Sequence, residues 1–100
     1  MQFVVTAWDG TDEEALSRRR AVRPTHLERI VPLVEAGHIL VGGAILDPEG
    51  EIGSVLLVDF DTREELDAWV AKDPYTTGDV WRSVDVRPFR AAMGSWLPEA

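Results

Sequence analysis

A chain of 100 residues with 45% hydrophobic and 28% charged side chains has the composition of one folded domain with a single core. It is too short for a cofactor domain joined to a substrate domain. Its formal charge of −8 is spread along the sequence and repels phosphate backbones and anionic lipid heads, so neither nucleic acid nor a membrane surface is an expected partner.

No apolar run reaches the roughly 20 residues that cross a bilayer, and the absence of cysteine removes disulfides, thiolate metal ligands and thiol nucleophiles together. The opening Met1-Gln2-Phe3-Val4-Val5 has neither the basic leader nor the apolar core of a secretion signal. The expectation is one cytoplasmic domain over residues 1–100.

Phe3 to Trp8 is rich in β-branched and aromatic residues and stops at Asp9-Gly10, which reads as a first strand and turn. Thr11-Asp12-Glu13-Glu14 has the spacing of a capping box and starts a helix. That helix is expected to break near Val22-Arg23 and to begin again at Pro24, placing His26 in an opening turn. Leu27, Ile30, Val31 and Val34 then share one face, Pro32 threatens a second kink, and Gly37 is the terminator. Arg18, Arg19, Arg20, Arg23 and Arg29 form a basic cluster. It reads either as a solvated helix face paired with Glu13, Glu14 and Glu28 or as a patch for an anionic small molecule.

Ile39 to Leu46 reads as a second strand, and Gly42-Gly43 inside it marks a bulge or a close approach to the backbone. Asp47-Pro48-Glu49-Gly50 is a turn and Ser54 to Phe60 a third strand, giving an antiparallel hairpin. Asp61 to Glu65 opens a second helix whose Leu66, Trp69 and Val70 form an apolar face. Asp73, before Pro74, is placed to cap the following turn, and Val80 to Phe89 alternates as a last strand.

The order β-α-β-β-α-β is the split pattern of a ferredoxin-like α+β domain, a four-stranded antiparallel sheet with both helices on one face. The strands are apolar on both sides, Val55 and Leu57 opposing Leu56, Val58 and Phe60, so the second face also needs a cover. A homodimer packed sheet to sheet, a dimeric α/β barrel, is the expected answer. The alternative cover is the C-terminal tail, residues 90–100, through Trp96.

His26 and Asp73 are the candidate catalytic pair. A neutral imidazole accepts a proton near neutral pH, and a carboxylate on its other nitrogen fixes the tautomer and stabilises the imidazolium. Such a general base suits proton abstraction or elimination on a small activated substrate, a lyase, with hydrolysis as a variant. Ser54 is placed to orient an oxyanion, Tyr75 to donate a hydrogen bond and Arg23 to hold an anionic group. His26 and His38 lack short ligand spacing, so no metal or other cofactor is expected. Two further readings use the same residues: a non-catalytic module that binds a small molecule, and an accessory dimeric domain in which His26 and Asp73 tie two corners together.

Taken together, Arg23-Pro24-x-His26-Leu27, Gly42-Gly43, Ser54, Ala68-Trp69, Asp73-Pro74-Tyr75 and Arg87-Pro88-Phe89 resemble the YCII (YciI-related) family over nearly all of the chain up to Phe89. The resemblance implies a dimeric ferredoxin-like fold and an active site on His26 and Asp73, with Ser54 and Tyr75 beside them. It implies no substrate.

Overall fold

The computed structural model describes residues 1–95. Trp96, the alternative cover for the sheet, lies outside the described residues. The elements are β1 (Gln2–Asp9), α1 (Ala15–Glu35), β2 (Ile39–Asp47), β3 (Gly50–Asp59), α2 (Arg63–Lys72), the short α3 (Pro74–Thr77) and β4 (Trp81–Phe89). The four strands form one sheet in the order β2-β3-β1-β4, and every adjacent pair is antiparallel. This is the ferredoxin-like arrangement, with the helices on one face.

Period-2 alternation assigns the two faces of the sheet. Phe3, Val5 and Ala7 of β1 pair in register with Val58, Leu56 and Ser54 of β3, and all six are buried beneath the helices. Leu66, Trp69 and Val70 from α2, with Tyr75, Val80 and Trp81, complete that core. Trp8, Val55 and Val41 are 44%, 38% and 40% exposed. They stand on the opposite face of the sheet, as their register with the buried set requires, and none of the described helices covers that face.

α1 does not break at Pro24. It runs as a single helix of 21 residues with Pro24 and Pro32 inside it, so His26 sits in mid-helix and not in a first turn. Pro24 is solvent-exposed, so its ring is turned away from the sheet. The expected capping box is also absent. Glu14, the residue expected three positions into the helix, itself occupies the N-cap position with no side-chain cap bond, so the helix begins later than a cap at Thr11 requires; Asp12 accepts from Arg18 Nη2 at its Oδ1 at 2.8 Å.

The other punctuation matches the sequence reading. Gly37 takes φ +80° after the helix, and Thr62 Oγ1 accepts from Glu65 N to cap α2. Asp47 Oδ1 accepts from Glu49 N and Gly50 N to close the hairpin turn.

Candidate functional site

With α1 continuous, its inward positions recur three or four residues apart: Ala15, Arg19, Val22, His26, Ile30 and Leu33. Ala15, Arg19 and His26 are buried, and Val22, Ile30 and Leu33 pack on the core. Two polar side chains therefore point at the sheet from one helix face, about two turns apart. Each has a carboxylate waiting for it.

His26 Nδ1 lies 2.7 Å from Asp73 Oδ2. Asp73 is fully buried where the chain turns from α2 into α3, and the same Oδ2 accepts from Tyr75 N at 2.9 Å. A carboxylate only accepts, so Nδ1 carries a proton toward Asp73, and in the neutral imidazole that tautomer leaves the lone pair on Nε2. The imidazole is stacked on Tyr75, with ring centroids 3.8 Å apart and planes at 11°, and meets Trp81 edge-on at 5.8 Å. Asp73 Oδ1 has no hydrogen-bond partner among the described residues; the nearest cation to it is Arg29, with Nη1 at 3.9 Å. Burial raises the Tyr75 phenol above its ordinary value of 10.0, with Arg19 and Arg23 pulling the other way, so Tyr75 keeps its proton at neutral pH.

Arg19 Nη1 donates to Asp9 Oδ1 at 2.9 Å and Oδ2 at 3.0 Å. Its Nη2 donates to Ser54 Oγ at 2.8 Å, and its guanidinium lies 4.8 Å from the centre of the Tyr75 ring. Trp81 Nε1 donates to the same Ser54 oxygen at 3.1 Å. Burial raises the Asp9 carboxyl above its ordinary 3.8, and the Arg19 hydrogen bond opposes the rise. The remaining members of the basic cluster scatter: Arg18 binds Asp12, Arg20 binds Glu51, and Arg29 donates to Trp69 O. None of these partners is Glu13, Glu14 or Glu28, so the expected helix-face pairing is replaced by contacts reaching other elements.

A cleft of about 440 Å³ opens between α1 and β2, lined at one end by Arg19, Arg23, His26, Ser54, Tyr75 and Trp81. Leu27, Ile30, Val34, Ile39 and Leu56 supply its apolar walls. Gly42 and Ala44 pair with Leu56 and Ser54, so they share the helix-side face, yet both are exposed. α1 leaves that part of β2 uncovered, and this is the opening. A Cβ on Gly42 would stand 2.8 Å from Leu56 Cδ2, whereas one on Gly43 would meet nothing within 4 Å. The register shifts of β2 lie at Ile39/Val41 and Ile45/Leu46, on either side of the two glycines.

Residues 1–90 match the YCII-related domain. The chain belongs to that family. This YCII-related chain is 35% identical to the protein YciI of Escherichia coli O6:H1 strain CFT073, over 90% of its own length and 97% of the relative's. It is 32% identical, at the same coverage, to an uncharacterized protein of Haemophilus influenzae strain Rd. Among solved structures it is similar to a 5-chloro-2-hydroxyhydroquinone dehydrochlorinase from Burkholderia phenoliruptrix AC1100, solved in complex with 2,5-dihydroxybenzoquinone. The TM-score is 0.80 over 92% of this chain and 96% of that one, at 22% identity, a likeness of fold.

Of the residues singled out from sequence, His26, Asp73, Ser54 and Tyr75 lie together in this YCII-related domain, and Arg23 lines the same cleft while being largely exposed. Sequence reasoning placed Arg19 only in the basic cluster and missed Asp9 and the buried pairing of Arg19 with it and with Ser54. The signal was present in the helical spacing from Ala15 to Leu33, but it is readable only if the helix runs through Pro24.

Proposed function

We propose that the cleft is the active site of a small enzyme in which His26 is the general base and Asp73 orients it, catalysing proton abstraction or elimination on a small oxygenated substrate. The observation that carries this reading is the 2.7 Å contact of His26 Nδ1 with buried Asp73, in a residue that also lines an apolar cleft. The unprotonated Nε2 takes a proton from the substrate while a leaving group departs with its bonding electrons, and Asp73 stabilises the imidazolium.

The similar dehydrochlorinase fold supports chlorinated or hydroxylated rings as the first substrates to try. Hydrolysis through Ser54 is disfavoured, because its oxygen accepts from two N–H groups and no base among the described residues takes its proton. The working form we propose is a homodimer joined through the sheet face opposite the helices.

The test is chloride release from 5-chloro-2-hydroxyhydroquinone by wild type and by His26→Gln, which can still donate to Asp73. A loss of about 10²–10⁴-fold with an unchanged fold is expected. An equal rate in the two proteins sinks the reading, and thermal stabilisation without product transfers the cleft to a binding role.

A further inference from the structure

We propose that Ser54 is a one-way hydrogen-bond donor to the ligand, its direction set by Arg19 and Trp81, so that the inner end of the cleft selects an acceptor oxygen: a carbonyl, carboxylate or enolate. The proposal takes the cleft as the binding site from the reading above and adds the polarity of one subsite.

A hydroxyl has one hydrogen and two lone pairs. Both lone pairs of Ser54 are occupied, by Arg19 Nη2 at 2.8 Å and by Trp81 Nε1 at 3.1 Å. Guanidinium and indole nitrogens donate and never accept here, so neither bond can reverse. The hydroxyl hydrogen must therefore point elsewhere, and among the described residues nothing accepts it. Ser54 is 5% exposed, and what exposure it has is to the cleft that it lines. A buried donor without an acceptor is costly. A ligand oxygen relieves that cost, whereas a ligand N–H meets a second donor.

Arg19 cannot swing aside, because both oxygens of buried Asp9 hold its Nη1. Through that chain the guanidinium polarises the Ser54 O–H, which strengthens it toward an oxygen carrying negative charge. Arg19 and Trp81 are thus positioning residues. The same two bonds leave Ser54 no free lone pair with which to attack a substrate.

The probes are benzoate and benzamidine, rings of one shape whose side groups present only acceptors or only donors. Isothermal titration of the full chain is expected to show benzoate binding and benzamidine failing. Ser54→Ala should weaken benzoate roughly tenfold or more, and Ser54→Thr, which keeps the hydroxyl, should restore it. Trp81→Phe frees one lone pair on Ser54 and should narrow the gap between the probes; this contrast carries the test if Ser54→Ala does not fold.

Benzoate binding equally well to wild type and Ser54→Ala, benzamidine preferred by wild type, or no benzoate binding at all would overturn the proposal. Serine-dependent benzoate binding in a protein that never turns over a chlorinated ring overturns only the elimination reading. Turnover that depends on His26, with affinity indifferent to Ser54, overturns only this one.

Discussion

At the scale of single residues, two carboxylates at the start of the chain behave in opposite ways, and their difference is burial. Asp9 is lost from solvent and its carboxyl is raised above 3.8. Its contribution to stability is thus fully present below 3.8 and is lost as pH rises through its folded value. Arg19 offsets that cost by pairing with it. Arg19→Met leaves a buried carboxylate alone and is expected to destabilise by about 3–5 kcal/mol at neutral pH. Urea unfolding at pH 7 and at pH 4 checks this, and the deficit should shrink in acid as Asp9 becomes protonated.

Asp12 faces solvent, and the Arg18 hydrogen bond lowers it from 3.8 to about 2. Its contribution is present above 3.8 and disappears as pH falls through about 2. A carboxyl-carbon NMR titration should find that midpoint in wild type and a return toward 3.8 in Arg18→Ala.

At the scale of elements, α1 decides where the site is. Had it broken before Pro24, Arg19 and His26 would belong to two helices with unrelated phases. One helix puts both on the buried side. Proline inside a helix costs about 3 kcal/mol relative to alanine, so the helix persists through packing of its inward residues and not through propensity. Pro24→Ala, at an exposed position, should therefore raise stability by about 1–3 kcal/mol in chemical denaturation, with the His26 and Asp73 contact intact. Gly37→Ala should do the reverse by about 1–2 kcal/mol, since φ +80° strains an alanine Cβ and costs glycine nothing.

At the scale of the whole molecule, the sheet has one face under the helices and one face that no described helix covers. Trp8, Val41 and Val55 lie on that second face at 38–44% exposure, an apolar surface of the kind that marks an interface. The proposed homodimer covers it with a second copy. Sedimentation at micromolar concentration should give twice the mass of one chain, and Val55→Asp should shift the protein to the monomer by burying charge at the joint. A monomeric wild type would end the dimer.

The strand and helix order was legible in the sequence because it is written in local signals. Alternating apolar residues gave the strands, Asp47 to Gly50 the hairpin, and Gly37 and the Asp61 to Glu65 stretch the helix boundaries, each within a few residues of the chain. Asp73 was legible as a cap before Pro74, whereas His26 was singled out for a helix start at Pro24 that the continuous α1 does not have. What the tertiary structure decided was the course of α1 through Pro24, because the packing of Val22, Ile30 and Leu33 on a sheet built from distant segments outweighs a local proline penalty. The pairing of Arg19 with Asp9 and Ser54, the latter 35 residues away, and the gap over Gly42 and Ala44 follow from that course. Local sequence sets which elements form; the way one helix lies across four strands sets which side chains meet.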